Sequence, residues 1–302
     1  MKVIIQNDRI KLSVWLKKNY PGLTKSHMQK LCRIGEIRIG GRRCTPAVAM
    51  VAGDELKLPP YIVEYKNEVY RAPKVSEEDI ALVRSLVLRE TPLYIALNKP
   101  AGIASQGGGK VRRHMDVLAN AAWPEYEGNL RLVHRLDMET SGVLLMAKGY
   151  DAARKLSDLF KSREVEKFYV ALLYGSPVKK EGEINSPVFE EDKPKTAKTR
   201  YKVLDETLNV ASLVKFMPET GRKHQLRIHA RALSHPIMGD TKYSTRRQAG
   251  AFEDVMGAKM PAGLMLHALS LVLPGERPIV APPPANFTEL AGMLDFSLKG
   301  LK

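Results

Sequence analysis

The carboxylate best placed to do chemistry is Asp137, at the centre of Leu132-Val133-His134-Arg135-Leu136-Asp137-Met138-Glu139-Thr140-Ser141-Gly142. Apolar residues lead in, polar ones follow, and Gly142 opens a second apolar run, Val143–Met146. The pattern presents a carboxylate on a loop between two buried strands. Such a group can serve as a nucleophile or base. It can equally cap a turn or pair with Arg135, common duties of loop aspartates. Local chemistry leaves both open.

Three other signals carry less. Gly107-Gly108-Gly109-Lys110 hints at a phosphate loop. It fails because Val111 stands where Ser or Thr is needed, and Ala104 where the first Gly is needed. His224, His229 and His235 have no cysteine or acidic residue close in sequence, so ordinary helix and polar-contact duties suit them better than metal. Cys32 and Cys44 are too few for a disulfide scaffold or a four-thiolate site. No Gly-rich dinucleotide or S-adenosylmethionine-type loop follows a strand.

Charge points to the partner. Lys plus Arg is 48 and Asp plus Glu 33 in 302 residues, a net +15 with a pI near 9.7. Residues 1–75 hold 15 of the basic and 6 of the acidic residues, a net of 15 − 6 = +9. A quarter of the chain thus carries more than half the excess, which favours a polyanion. No apolar run approaches the roughly 18 residues of a bilayer span, and the N-terminus lacks a secretory pattern. These features lead us to expect a cytoplasmic monomer working in a reducing setting, away from membranes.

The chain divides into three expected parts: a basic module over 1–60, a connector over 61–92 and a larger domain over 93–302. In the first, Leu12, Trp15 and Leu16 suit one helix face. Thr24 caps a second helix with Met28, Leu31 and Cys32 inward and Gly35 at its end. A hairpin follows at Ile37–Ile39 with the turn Gly40-Gly41, then the turn Gly53-Asp54 and a strand at Glu55–Leu58. In the connector, Ser76 and Asp79 resemble a capping box. Beyond it, strands are expected at 93–97, 130–133, 143–147, 168–173, 199–204 and 210–216. Helices are expected at 150–161, 223–233 and 287–297. Strands and helices do not alternate regularly, so the fold class is α+β with a mixed, largely antiparallel sheet. Residues 104–113 and 244–260 are expected to be the least ordered.

The string His134-Arg135-Leu136-Asp137 followed by Thr140-Ser141-Gly142 resembles the signature of the RluA-type pseudouridine synthases. Further blocks match in order: Asn98-Lys99-Pro100-Ala101-Gly102, then Lys167-Phe168-Tyr169-Val170-Ala171, then Gly221 to His229 (GRKHQLRIH), and more weakly Leu266-His267-Ala268. The likeness spans about 93–275. The run from Leu23 to Leu58 resembles the S-four-type (αL) RNA-binding domain, with Gly40 where the usual pattern has Asn.

The resemblance implies the pseudouridine synthase fold with a small N-terminal RNA-binding domain, and isomerisation of uridine to pseudouridine. That reaction detaches the base from ribose carbon 1′, turns it and rejoins it through carbon 5. It needs no redox step and no group donor, so no cofactor and no metal are expected. The family assigns the nucleophile to Asp137, its counter-charge to Arg227, and base stacking with proton handling to Tyr169. A guanidinium beside a buried carboxylate favours the charged form. Extruding a base costs a few kcal/mol, and aromatic stacking recovers part of that. Arg135 matches a residue that fills the space left by a flipped nucleotide. Lys25, Lys30, Arg33, Arg38, Arg42 and Arg43 are the expected phosphate-binding face, with Arg222 and His224 as further RNA contacts.

The subgroup most resembled, from the N-terminal module and Ala104–Gly108, is the RluC type, which implies large-subunit ribosomal RNA as partner. The alternatives are an inactive RNA-binding or ribosome-assembly factor on the same fold, an RNA methyltransferase and an N-glycosidase. The intact Asp137, Tyr169 and Arg227 argue against the first. The missing cofactor loop argues against the second, and nothing in the resemblance supports the third.

Overall fold

A computed structural model describes the chain except residues 7–8, 67–74, 108–112, 127–129, 191, 208–209 and 302. The Gly107–Lys110 signal therefore lies mostly outside the described residues. The chain forms two units, Met1–Lys74 and Val75–Lys302. Residues 61–92 do not form a separate connector. The 3-10 turn Pro60–Lys66 sends Ile62 into the core of the first unit, whereas the helix and strand of 77–90 belong to the second.

The first unit contains β1 (Lys2–Ile4), β2 (Ile10–Lys11), α1 (Leu12–Asn19), α2 (Lys25–Ile34), β3 (Arg38–Ile39), β4 (Arg42–Arg43), β5 (Ala49–Met50) and β6 (Glu55–Lys57). Four strands form a sheet in the order β1-β6-β3-β4, and β2 pairs with β5. Leu12, Leu16, Met28, Leu31, Ile37 and Leu56 close a compact core. The hydroxyl of Thr24 accepts from His27 N at 3.3 Å, which occupies one of the free amides that open α2. Gly35 ends the helix at φ 79°, a left-handed position that suits glycine.

The second unit runs α3 (Glu77–Ser85), β7 (Val87–Glu90), β8 (Tyr94–Lys99), α4 (Met115–Ala122), β9 (Leu130–Leu132), β10 (Ser141–Lys148), α5 (Tyr150–Ser162), β11 (Glu166–Tyr174) and β12 (Glu181–Ile184). It continues with β13 (Val188–Glu190), β14 (Lys193–Lys195), β15 (Thr199–Thr207), β16 (Ala211–Pro218), α6 (Gln225–Ala232), α7 (Arg246–Met256), β17 (Leu266–Val272), β18 (Ile279–Val280) and α8 (Ala285–Met293). Ten strands make one sheet in the order β12-β15-β16-β11-β17-β10-β8-β7, with β9 added to β10 and β18 to β17. Among the described residues its one parallel pair is β10–β17, so the sheet is mixed and largely antiparallel.

β10 is buried on both faces. Leu144 and Met146 enter one core with Leu118 and Leu97, while Val143, Leu145 and Ala147 enter another with Leu156 and Leu271. That is the strand period of two with both faces covered. Residues 244–260, expected to be poorly ordered, contain α7. Thr245 and Gln248 cap it reciprocally and Phe252 buries its inner face, which outweighs the polar composition of the stretch.

Candidate active site

Asp137 lies on the loop between β9 and β10, and its neighbours are pinned from below. Ser105 Oγ donates to Leu136 O at 2.7 Å and accepts from Leu136 N at 2.9 Å. Gly102 N donates to Met138 O at 2.8 Å. Lys99, fully buried, donates its ammonium protons to the carbonyls of Pro100, Ile103 and Met138 at 2.8, 2.8 and 3.2 Å. Burial pulls the Lys99 ammonium down to about 7, against the field of Asp137 that pushes it up.

His134 anchors the loop's other end. Its Nε2 accepts from Leu145 N at 2.9 Å and its ring stacks on Phe160 at 4.7 Å. Burial, helped by the charge of Lys167, holds His134 at about 3, so the ring is neutral as that bond requires.

The carboxylate itself is free. Thr140 N donates to the Asp137 carbonyl at 3.1 Å, but among the described residues the side chain accepts no hydrogen bond and no ion pair joins it to Arg135. The side chain is 31% exposed rather than buried, and the nearby imidazole Nε2 of His224 is 4.0 Å from its Oδ1. Neither turn capping nor pairing with Arg135 accounts for it.

Arg227, expected as the counter-charge of Asp137, makes its direct bonds to other carboxylates. Its Nε and Nη2 donate to Asp240 at 2.7 and 2.8 Å, and its Nη1 lies 3.1 Å from Glu139. Burial works against the guanidinium's charge, but the bond to Asp240 and the fields of Asp240, Glu139 and Asp137 outweigh it and its pKa rises. Asp137 is thus reached by the field of Arg227 and not by an ion pair. A buried arginine needs a partner that satisfies its fork, and Asp240 supplies one.

Tyr169 lies on β11, where the register with β17 shifts between Phe168 and Val170. Such a bulge re-aims a side chain. Burial, then the charge of Asp137, pushes its phenol well above the ordinary range.

The start of α6 is fixed by Gln225, which accepts from Thr220 Oγ1 and Arg222 N at 2.7 and 3.1 Å and donates to Lys198 O and Thr199 Oγ1 at 3.0 and 2.9 Å. His229 bonds Thr199 and Ser186, and His235 bonds Tyr174 O, so the three histidines have separate partners. Arg222, expected to contact RNA, donates Nε to Thr196 O at 3.2 Å. Arg135 is exposed.

In the first unit Lys25, Lys30, Arg33, Arg42 and Arg43 are exposed. Arg38 differs: its Nε and Nη1 donate to Gly35 O and Gly41 O at 2.8 and 3.2 Å, tying the end of α2 to the hairpin turn.

Sequence reasoning missed Asp240 and Tyr243. Asp240 is fully buried and accepts from Lys242 N and Tyr243 N at 2.9 and 3.0 Å besides Arg227. The one available signal was Gly239-Asp240 after the apolar Ile237-Met238. A lone acid at the edge of an apolar run asks for a buried cation.

The family profile described as RNA pseudouridylate synthase matches residues 93–232. The "Ribosomal large subunit pseudouridine synthase C" of Rickettsia bellii is 36% identical, over 77% of this chain and 82% of its own. That of Vibrio parahaemolyticus is 34% identical, over 85% and 82%. The solved structure "Human RNA Pseudouridylate Synthase Domain Containing 4" aligns at TM-score 0.64 and 27% identity, covering 73% of this chain and 98% of that one. The chain belongs to the RNA pseudouridylate synthase family, whose members isomerise uridine to pseudouridine in RNA.

Proposed function

We propose that this enzyme isomerises specific uridines of large-subunit ribosomal RNA, with Asp137 as the nucleophile or base at the ribose. Four side chains from three stretches of the chain, Lys99, Tyr169, and His224 with Arg227, all sense the charge of that one carboxylate. This convergence carries the reading. A free, half-exposed carboxylate with no hydrogen-bond duty of its own is available to a substrate. Tyr169 is the stacking face for the extruded base, and its raised phenol pKa keeps it a proton donor at neutral pH. Arg227, locked by Asp240 and Glu139, supplies fixed positive charge beside the reacting sugar.

The relatives' names supply the substrate class. In this reading the first unit, with its capped helix, glycine turn and hairpin, is an S-four-type RNA-binding domain in which Lys25, Lys30, Arg33, Arg42 and Arg43 hold phosphates while Arg38 braces the fold. Arg222 and His224 make further contacts to the RNA in this reading, and Arg135 fills the gap left by the flipped nucleotide. The chain acts as a cytoplasmic monomer. Among the described residues no helix is long and apolar enough to cross a membrane.

The test maps pseudouridine in ribosomal RNA from cells lacking the gene, then restores wild type or Asp137→Asn. Sites should vanish on deletion, return with wild type and stay absent with Asp137→Asn, while the variant still binds RNA. Unchanged maps after deletion would refute the substrate. Normal modification by Asp137→Asn would refute the mechanism.

A further inference from the structure

His224 and Asp137 face each other across a gap that neither closes. The Nε2 of His224 stands 4.0 Å from Oδ1 of Asp137, too far for a hydrogen bond, with side chains 17% and 31% exposed. A hydroxyl bonded to both groups at about 2.8 Å would span such a gap.

His224 is held in this orientation. It begins α6 with φ 55°, a left-handed conformation uncommon for a residue with a side chain. Its Nδ1 lies 3.0 Å from the hydroxyl of Tyr243, and the two rings meet edge to face at 5.7 Å. Tyr243 is itself fixed. Its amide donates to Asp240 at 3.0 Å, and the Arg227 guanidinium lies 5.2 Å from its ring centre.

The charges around the imidazole decide what it offers. Burial lowers its pKa, Asp137 raises it, and Arg227, Lys242 and Lys223 lower it, for a net fall. The ring is therefore neutral at neutral pH and carries one N–H. With Tyr243 donating to Nδ1, that N–H sits on Nε2 and points towards the carboxylate, the tautomer electrostatics favours. The gap then presents one donor and one acceptor.

A group that accepts from the first and donates to the second is a hydroxyl. In a target uridine, the hydroxyl next to carbon 1′ is the ribose 2′-hydroxyl. It is also the group by which a protein tells RNA from DNA. We propose that His224 and Asp137 together form the 2′-hydroxyl site of the target nucleotide, with Tyr243 as the residue that positions His224. The site is a specificity determinant that selects ribose at the reacting position. This rests on the reading above that Asp137 acts at the sugar of the target.

The probes are two RNA oligonucleotides spanning a uridine whose pseudouridine disappears on gene deletion. One has uridine at that position and the other 2′-deoxyuridine, with ribose elsewhere. Affinities are measured by competition for wild type, His224→Ala, His224→Gln and Tyr243→Phe. Wild type should prefer the ribose form about tenfold, the worth of one well-made hydrogen bond. His224→Ala should erase the preference, Tyr243→Phe should reduce it, and His224→Gln, which keeps an N–H donor, should restore part of it. If His224→Ala does not fold, His224→Gln and Tyr243→Phe still report the preference. A preference unchanged in the histidine and tyrosine variants overturns the proposal. Wild type forming no pseudouridine in the all-ribose oligonucleotide overturns instead the reading beneath it.

Discussion

Arg227 and Asp240 are joined by two hydrogen bonds of 2.7 and 2.8 Å, with Asp240 fully buried and Arg227 3% exposed. Removing Asp240 leaves the buried guanidinium with only the partly exposed Glu139, a poorly compensated charge in a dry place, which costs more than the pair contributes. Asp240→Ala should destabilise the fold by about 3–5 kcal/mol in chemical denaturation. Glu139 is 40% exposed at its side chain, and Glu139→Gln should cost under about 1 kcal/mol. Equal losses from the two variants would mean that the buried pair is not the one that holds Arg227.

Acid should loosen the second unit through its neutral histidines. His134 is held at about 3 and His267 at about 4, both by burial, where the unfolded chain has about 6.5. The unfolded state therefore binds more protons over this interval. Stability from both groups is complete above pH 6.5 and is lost as pH falls towards 3 to 4, by up to about 1.4 kcal/mol per pH unit for each ring. His134→Gln should flatten the fall between pH 6 and 4 measured by urea unfolding. An unchanged slope would show that His134 is not among the rings that titrate with unfolding.

The basic face of the first unit should set affinity and leave the chemistry alone. Lys25, Lys30 and Arg33 are exposed. Replacing all three with Gln should weaken RNA binding and make the slope of log K against log salt shallower by about 2 to 3. The single-turnover rate at saturating enzyme should hold. A matching loss of rate would mean that these residues also help place the target base. Arg38→Gln should in addition cost about 1–2 kcal/mol of stability, because it breaks two side-chain bonds to backbone.

Local features were legible from the sequence. The Thr24 cap, the Gly35 terminus and the turns of the first unit depend on neighbours within a few residues, and they appear as expected. The chain order of motifs marked Asp137, Tyr169 and Arg227 before any geometry was available. What stayed hidden depends on distant pairing. The sequence marks Arg227 as the counter-charge of Asp137 but not the Asp240 that holds it, 13 residues on, because the loop of Asp240 gives no periodic signal. Strand β7 sat within the expected connector because its partner β8, rather than its own pattern, makes it a strand. Helix α7 lies in a stretch whose composition suggests disorder, and its one buried aromatic, Phe252, decides otherwise.

The parallel pair β10–β17 has a consequence for when the enzyme can work. It matches Ser141 with His267 and Gly142 with Ala268, and Ser141 Oγ meets His267 Nδ1 at 2.8 Å. Gly142 has φ 116°, and a Cβ there would lie 2.2 Å from Ala268 O, so only glycine permits this approach. The loop bearing Asp137 is thus secured by a strand that the ribosome makes more than a hundred residues later. Contacts so distant in sequence form late in folding, since the loop between them must close first. A nascent chain has its motifs long before it has a site, and catalytic competence waits for β17 to be made.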